Sequence, residues 1–169
     1  MAKKYCISFA GPIGSSKTPI AYYLSQKFNL IMINNDTIRI EVTEERGYLD
    51  EEEYQKRRNN RVEEMLETGQ SFIFDASIDR SWDVFEQYLK SFGYSWFVIS
   101  IDISKELLTR LYHAKNYSFT PEEIDQNYEE HQQFLKEHPE HINLHLTDDD
   151  FLNRLELSAK AFEDWTITN

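Results

Sequence analysis

Eight consecutive residues near the start of the chain have the types and spacing needed to hold a phosphate group. They are Gly11, Pro12, Ile13, Gly14, Ser15, Ser16, Lys17 and Thr18. The two glycines allow the backbone to curl, so that successive amide groups point inward around an anion. The lysine can reach the β- and γ-phosphates of a nucleotide, and the threonine hydroxyl can ligate Mg²⁺. We therefore expect a nucleotide site with ATP and Mg²⁺ as cofactors, all eight residues around the nucleotide, and Thr18 on the metal.

The order of elements around this segment agrees with the phosphate-binding Walker A motif. The motif lies between a strand and a helix. The apolar run Tyr5–Ala10 precedes the segment, and the helical pattern Thr18–Phe28 follows it. One position departs from the motif, since Ser16 stands where glycine usually precedes the lysine. Serine fits there if its φ is negative, and we expect that conformation. The alternative is an ordinary strand–turn–helix connection in which Lys17 and Thr18 follow each other by chance.

The rest of the chain alternates between short apolar strands and amphipathic helices, the pattern of a parallel sheet covered on both faces. The later strands are expected at Leu30–Ile33, Ser71–Phe74, Trp96–Ile101 and Ile142–Leu146, the last one near a sheet edge. The later helices are expected at Asp50–Glu67, Trp82–Phe92, Ser104–Tyr112 and Asp148–Trp165, with another starting at Thr120-Pro121-Glu122-Glu123. This predicts one α/β domain over residues 1–169, with the three-layer P-loop NTPase fold and a five-stranded parallel sheet.

Asp75 directly follows the third expected strand, beside the phosphate loop. A carboxylate in that place can hold Mg²⁺ through a water molecule. The alternative is an aspartate that forms the turn Asp75-Ala76-Ser77. The metal role makes Asp75 the second expected metal residue, with Thr18.

The chain resembles the polynucleotide-kinase-like and zeta-toxin-like P-loop kinases. The resemblance rests on the phosphate loop, on Asn34-Asn35-Asp36-Thr37-Ile38-Arg39 after the second strand, and on Phe74-Asp75-Ala76-Ser77 after the third. It covers about the first 120 residues and implies an ATP-dependent kinase. It implies that Asp36 takes the proton of the acceptor hydroxyl and that Arg39 orients an acidic group of the substrate. From the residues alone, Asp36 is equally suited to cap a helix, and Arg39 to form a surface ion pair.

The same resemblance implies a basic lid, here about residues 104–120. Related kinases carry two arginines four positions apart on the helix after the fourth strand. Arg110 matches the first and is expected to act on the nucleotide and the transferred phosphate. The second position is Ala114, with Lys115 next to it and His113 nearby, so Lys115 is the expected substitute. Lysine lacks the bidentate fork of arginine.

Composition narrows the classes of partner. The net charge of −12 disfavours long nucleic acids, because binding their phosphates requires lysine and arginine. Cys6 is the only cysteine, so no intramolecular disulfide can form, and it is expected to be an inert core thiol. The five histidines show no spacing typical of a metal site. We find no signal peptide or membrane span, which predicts the cytoplasm, and the sequence leaves the oligomeric state open.

These features favour transfer of the γ-phosphate of ATP to a hydroxyl group of a small acceptor, such as a nucleoside, a sugar or an antibiotic. Two alternatives stay open. One is a polynucleotide 5′-hydroxyl kinase, if Arg39 and the arginines between residues 46 and 61 form a local basic groove. The other is a regulatory or toxin-type nucleotide-binding module with weak turnover, which Ser16 and the incomplete lid favour.

Overall fold

Five short apolar segments pair into one parallel sheet in the computed structural model, which describes residues 3–168. The strands are β1 (Tyr5–Ala10), β2 (Ile31–Asn34), β3 (Phe72–Ser77), β4 (Ser95–Ile101) and β5 (Ile142–Leu146). Their order across the sheet is β2-β3-β1-β4-β5, and every neighbouring pair is parallel. The predicted edge position of β5 is confirmed. Its side chains alternate between exposed positions and half-buried or buried ones, because successive side chains point to opposite faces of the sheet.

The helices lie on the two faces of this sheet. They are α1 (Lys17–Phe28), α2 (Asn35–Arg46), α3 (Glu51–Thr68), α4 (Trp82–Ser91), α5 (Lys105–Ala114), α6 (Pro121–Glu137) and α7 (Arg154–Thr168), with 3₁₀ turns at Pro139–His141 and Phe151–Asn153. Side chains of α1, α5 and α7 form one buried cluster, and those of α2, α3, α4 and α6 form the other. The central strand β1 supplies both, with Cys6 and Ala10 on one side and Ile7 and Phe9 on the other. Alternating strand side chains on both faces make a three-layer α/β fold, as the sequence predicts.

The predicted helix starts agree with the structure in part. Thr120 and Glu123 form the predicted capping box of α6, each accepting a hydrogen bond from the other's backbone. Ser81 precedes α4 as predicted, but its side chain makes no capping hydrogen bond. The helix α2 is not predicted by the sequence pattern, because only Ile38 and Val42 on its inner face are buried.

Cys6 lies in the core, as expected. It is fully buried, and burial raises the pKa of its thiol to about 12. The thiol therefore stays protonated at neutral pH, which makes it a poor nucleophile. Within residues 3–168, no helix combines the length and the apolar composition that a membrane crossing requires.

Candidate nucleotide-binding and catalytic site

A cleft of about 720 Å³ opens at the carboxyl edge of strands β1, β2 and β3. Loops that follow parallel strands meet at this edge, where ligands of open α/β sheets bind. The cleft brings together most of the predicted site residues: Gly11, Pro12, Ile13, Gly14, Ser16, Lys17, Thr18, Asp36, Arg39, Asp75 and Lys115. Ser15 lies beneath them, fully buried. The predicted loop, metal residues and acceptor-side residues therefore share one cavity.

The phosphate loop is held from the side by α5. The hydroxyl of Tyr112 donates a hydrogen bond of 2.6 Å to the carbonyl oxygen of Ile13. Gly14 has a φ of +78°, and a Cβ atom there would lie 2.3 Å from the Tyr112 ring. Glycine is thus required at this position both for its backbone conformation and for the close approach of the aromatic ring.

The expectation of a negative φ at Ser16 is wrong. Ser16 has a φ of +80° and a ψ of +31°, in the left-handed region that glycine adopts most readily. Its side chain makes no capping hydrogen bond to α1, although the residue occupies the N-cap position. Serine therefore takes a conformation that glycine would adopt without strain, and it is held there at an energetic cost.

Lys17 is folded over the phosphate loop. Its Nζ atom donates hydrogen bonds to the carbonyl oxygens of Gly11 (2.8 Å) and Pro12 (2.6 Å). Burial lowers its pKa from 10.5 to about 8, against the opposing effect of Asp79 and Asp75. A lysine that has lost part of its hydration and faces carbonyl oxygens is well placed to transfer its hydrogen bonds to an incoming phosphate.

Asp75 belongs to β3, so its alternative as a turn residue is wrong. It is 6% exposed, and burial raises the pKa of its carboxyl group, while the hydroxyl of Thr18 and the amide of Asn34 oppose that rise. The Nδ2 atom of Asn34 donates a hydrogen bond to Asp75 Oδ2. Hydroxyl and carboxylate oxygens are the hard donors that Mg²⁺ prefers, so Thr18 and Asp75 fit the metal that the motif implies.

Asp36 and Arg39 lie in the first turns of α2, on the rim of the cleft. The alternative of Asp36 as the N-cap is wrong, because Asn34 caps α2 through a 2.8 Å hydrogen bond from the amide of Thr37. Asp36 is free of that role, and its side chain is 75% exposed. Arg39 lies 3.3 Å from Asp36, and its guanidinium group stacks on the Tyr54 ring at 4.6 Å. The predicted surface ion pair of Arg39 is thus present, on the wall of the cleft.

The predicted lid residues do not lie together in the structure. Lys115 lines the cleft, and its Nζ atom donates a 2.6 Å hydrogen bond to the carbonyl oxygen of Gly14. Burial lowers the pKa of Lys115. Arg110 is exposed on α5 and does not line the cleft, and His113 is exposed as well. Lys115 is therefore the lid cation nearest the phosphate loop among the predicted ones, and the role of Arg110 stays a prediction.

Asp79 is a site residue that sequence reasoning missed. Both of its carboxylate oxygens accept the backbone amide of Gly11, at 3.1 and 3.2 Å, and the side chain is only 6% exposed. Behind it, His131 Nδ1 lies 3.2 Å from Asp79 Oδ2 without the alignment of a hydrogen bond, and His131 Nε2 lies 3.4 Å from Ser100 Oγ. These three buried groups come from separate elements, so no local spacing in the sequence connects them.

Three histidine and glutamate side chains come together outside the cleft, which the sequence did not predict. The ligand atoms of His138, Glu140 and His141 all lie within 4.8 Å of one another. His141 Nε2 is 3.1 Å from Glu140 and 3.6 Å from Glu86. Contacts between His141 and the two neighbouring carboxylates account for the grouping.

Comparison with known proteins identifies relatives by structure only. No protein-family model matches the chain, and no curated protein is a significant match to its sequence. The APS kinase of Mycobacterium tuberculosis, solved with AMPPNP and APS, is 16% identical, with a TM-score of 0.68 over 96% of this chain and 99% of that one. The shikimate kinase of Aquifex aeolicus is 15% identical, with a TM-score of 0.62 over 97% and 99%.

A protein of the PezAT chromosomal toxin–antitoxin system of Streptococcus pneumoniae is 18% identical, with a TM-score of 0.56 over 87% of this chain and 67% of that one. Identities this low show a shared fold and leave activity open. The five-stranded parallel sheet with its helices agrees with the fold of these structures. The chain therefore has the fold of the P-loop kinases, as its sequence motifs predict.

Proposed function

We propose that this protein is an ATP-dependent kinase that transfers the γ-phosphate to a hydroxyl group of a small molecule. The observation that carries the proposal is the single cleft lined by Lys17, Thr18, Asp75, Asp36 and Arg39. Residues suited to both halves of a transfer reaction line this cleft. The phosphate loop and Lys17 fit a nucleotide, and Asp36, paired with Arg39, is exposed on the rim. The fold neighbours named as kinases support this class of reaction.

In the proposed reaction, the acceptor oxygen attacks the γ-phosphorus and forms a new O–P bond. The bond from that phosphorus to the β–γ bridging oxygen breaks, and ADP leaves with its electron pair. Asp36 accepts the proton of the acceptor hydroxyl, while Lys17 neutralises charge on the β- and γ-phosphates. Mg²⁺ held by Thr18 and Asp75 would supply further positive charge at the phosphates. The protein's own contribution is mainly the positioning of these groups around the transferred phosphate.

A second candidate is a regulatory nucleotide-binding module with weak turnover. Two observations favour it: the strained conformation of Ser16, and the position of Arg110 outside the cleft. Both observations concern residues expected to bind the nucleotide, and neither concerns the acceptor-side residues Asp36 and Arg39. The two candidates differ in whether phosphate leaves ATP for an acceptor.

A screen of hydroxyl compounds with ATP labelled at the γ-phosphate separates these candidates. We expect labelled product from a small acceptor with the wild-type protein. Asp36→Asn should reduce transfer at least about 100-fold while ATP binding stays within about twofold, because general-base catalysis contributes on the order of 100- to 10,000-fold. ATP binding with no transfer to any nucleoside, sugar or aminoglycoside would favour the regulatory module.

A further inference from the structure

Two imidazoles and a carboxylate lie close together at the turn that joins α6 to β5. His138 follows the last residue of α6, and Glu140 and His141 belong to the 3₁₀ turn Pro139–His141. One potential ligand atom from each of these three side chains lies within 4.8 Å of those of the other two. None of the three residues lines the nucleotide cleft. This group, which we call the histidine turn, is therefore separate from the proposed nucleotide site.

The backbone and the aromatic neighbours hold the two imidazoles in place. The amide of His138 donates a hydrogen bond of 2.9 Å to the carbonyl oxygen of Phe134, and the amide of His141 donates one of 3.2 Å to the carbonyl oxygen of His138. The His138 ring lies 5.1 Å from the Phe134 ring, and the His141 ring lies 5.0 Å from the Trp82 ring. Both imidazole side chains are only 20% exposed. A ligand that binds both rings would therefore have little side-chain freedom to remove.

Helix α4 supplies two further carboxylates opposite the histidine turn. Glu86 Oε1 lies 3.6 Å from His141 Nε2, and Asp83 Oδ1 lies 3.8 Å from His138 Nε2. Asp83 and Glu86 are three residues apart on α4, so they lie on one face of the helix. The other carboxylate oxygen of Glu86 pairs with Lys90 at 2.9 Å, which leaves Oε1 directed toward the turn. Each imidazole thus faces a carboxylate from a separate element.

The number of ligand groups distinguishes this cluster from an ordinary contact between a histidine and a carboxylate. An imidazole beside a carboxylate shares a proton with it, and in its neutral form it also binds metals. His145 and Asp102 form such a simple pair, with Nε2 3.3 Å from Oδ2. In the histidine turn, two imidazoles lie beside Glu140, and Glu86 faces them from α4. Two nitrogen and two oxygen donors suit Zn²⁺ and neighbouring transition metals, whereas Mg²⁺ and Ca²⁺ prefer oxygen donors alone.

The distances are close to those that zinc requires. Tetrahedral Zn²⁺ holds imidazole nitrogen and carboxylate oxygen atoms at about 2.0–2.2 Å, so its ligand atoms lie about 3.3 Å apart. His141 Nε2 is already 3.1 Å from Glu140 and 3.6 Å from Glu86. Within the histidine turn no pair of ligand atoms exceeds 4.8 Å, so the widest pair must close by at most about 1.5 Å. Side-chain rotation can supply a movement of that size, above all at Glu140, which is 63% exposed.

We propose that the histidine turn, together with Glu86, binds Zn²⁺ or a related divalent transition-metal ion. In the bound state both imidazoles are neutral and each gives the metal one nitrogen, while Glu86 and Glu140 give one oxygen each. Such an ion fixes the turn to α4. The proposal does not depend on the kinase function, because the site shares no residue with the cleft.

The ion would connect two elements that also meet at the cleft. Helix α6 contributes Asn127 and Glu130 to the cleft lining, and Arg80 lies there two residues before α4. Arg80 pairs with Glu130, which joins the two elements at the cleft. A metal between Glu86 and the histidine turn adds a second connection between them. Binding of the ion should therefore stabilise the folded domain, because a ligand that binds only the folded state shifts the unfolding equilibrium.

Calorimetry with zinc chloride tests the site directly. The full-length protein is first dialysed against EDTA and then into buffer with a large excess of Mg²⁺, which occupies any site made of oxygen ligands in the cleft. We expect one Zn²⁺ ion to bind per chain under these conditions. Absence of Zn²⁺ binding, or its complete suppression by the excess of Mg²⁺, overturns the proposal.

Substitutions in the turn and a matched control identify the ligands in that titration. His138→Gln and Glu140→Gln should each weaken Zn²⁺ binding at least about tenfold, since the loss of a residue behind a metal ligand already costs about 10- to 100-fold. His145→Gln removes a histidine that contacts a carboxylate in the same way but lies outside the cluster. It should leave the affinity for Zn²⁺ unchanged. Equal effects of Glu140→Gln and His145→Gln overturn the proposal.

Tryptophan fluorescence locates the bound ion by a second route. The His141 ring lies 5.0 Å from the Trp82 ring and 6.0 Å from the Trp96 ring. Ni²⁺, a quenching ion that also suits imidazole ligands, should lower the tryptophan emission of the wild type, and EDTA should restore it. Because His141 packs against Trp82, its substitution would disturb the core, so Glu140→Gln is the variant to compare. It should need at least about tenfold more Ni²⁺ for half-maximal quenching.

Thermal unfolding checks that the ion stabilises the fold. Zn²⁺ should raise the Tm of the wild type and of His145→Gln by the same amount, and EDTA should reverse the shift. At the same Zn²⁺ concentration the Tm of Glu140→Gln should rise less. Equal Tm shifts in the wild type and Glu140→Gln, or quenching by Ni²⁺ that is unchanged in Glu140→Gln, would place the metal elsewhere and overturn the proposal.

Discussion

Ser16 departs from its motif in residue type, yet its backbone adopts a conformation typical of glycine. Its φ of +80° is one that glycine tolerates and serine does not favour. Nearby tertiary contacts hold the loop in shape, among them Tyr112 on Ile13 and Asp79 on the amide of Gly11. The energy that holds Ser16 in this conformation reduces the stability of the whole domain.

Ser16→Gly should therefore stabilise the protein. The left-handed conformation costs a residue with a side chain about 1–2 kcal/mol. Glycine avoids this cost but loses more conformational entropy on folding, so we expect the free energy of unfolding to increase by about 0.5–1 kcal/mol. Urea denaturation measures it. Ser15→Gly is the control, because Ser15 is not among the residues with positive φ and should lose stability on substitution. A lower stability of Ser16→Gly than of the wild type would contradict the inference that Ser16 is strained.

The lowered pKa of Lys17 predicts a pH dependence of both the stability of the protein and its nucleotide binding. In the folded protein its pKa is about 8, below the ordinary value of 10.5, because burial penalises the charged form. Between these two values the unfolded chain holds a proton that the folded chain has lost. The contribution of Lys17 to stability therefore increases as the pH rises through this window, and the desolvation penalty is fully present below about pH 8.

Nucleotide binding should change with pH in the opposite direction, because phosphates require the charged lysine. The affinity for Mg·ATP should be steady below about pH 8 and fall by up to tenfold per unit above it. Calorimetry across this range measures this pH-dependent fall in affinity, which we call the step. Lys17→Ala should bind weakly without the step, and Lys115→Met, which removes the other lysine with a lowered pKa, should keep it. A step that survives in Lys17→Ala would assign the titration to another group.

At the scale of elements, the phosphate loop depends on the helix that packs against it. Gly14 and Gly47 have nearly equal φ values of +78° and +79°. A Cβ atom at Gly14 would meet the Tyr112 ring of α5 at 2.3 Å, whereas no atom lies within 4 Å of one at Gly47. Substitutions at the two positions therefore separate the energetic cost of backbone strain from the cost of steric contact.

Gly47→Ala should cost about 1 kcal/mol from backbone strain alone, and Gly14→Ala at least about 2 kcal/mol more, because the helix or the loop must shift. Gly14→Ala should also abolish nucleotide binding, and Gly47→Ala should not. Thermal unfolding with and without Mg·ATP measures both effects. Adding Tyr112→Leu to Gly14→Ala should restore part of the stability, and equal costs at the two glycines would show that α5 does not constrain the loop.

The sequence predicted the elements that local patterns specify. Strand β5 and the capping box of α6 agree with the structure, because both depend on residues close together in the chain. Helix α2 was not predicted, because it buries only two side chains and its many charged residues obscure the helical spacing of apolar positions. The Walker A motif located Lys17 and Thr18, and the end of the third expected strand located Asp75. The contacts of Asp79 with Gly11 and of Glu86 with His141 could not be predicted, because they depend on the packing of distant elements.

At the scale of the whole molecule, an acidic surface surrounds a cleft with a small excess of cations. Small ligands can enter such a site, whereas a long polyanion would lie against the acidic exterior. The proposed acceptor is therefore a small molecule, in spite of the resemblance to polynucleotide kinases in the motifs.

This charge distribution predicts weak binding of nucleic acids. A single-stranded oligonucleotide with a free 5′-hydroxyl should show no detectable association by fluorescence anisotropy even at low salt, because nonspecific affinity depends on the number of phosphates neutralised by lysine and arginine. A mononucleotide should bind under the same conditions. Tight, salt-sensitive binding of the oligonucleotide would favour the polynucleotide 5′-hydroxyl kinase.

Binding of Mg·ATP by the phosphate loop is the claim on which the rest depends, and a ligand that binds only the folded state raises the free energy of unfolding. Unfolding of the wild-type protein and of Lys17→Ala is measured with increasing Mg·ATP. The wild type should gain about 2.7 kcal/mol at a ligand concentration 100 times the dissociation constant, and Lys17→Ala should gain little at the same concentration. Absence of stabilisation in the wild type, or equal stabilisation in both proteins, would contradict a nucleotide site at this loop.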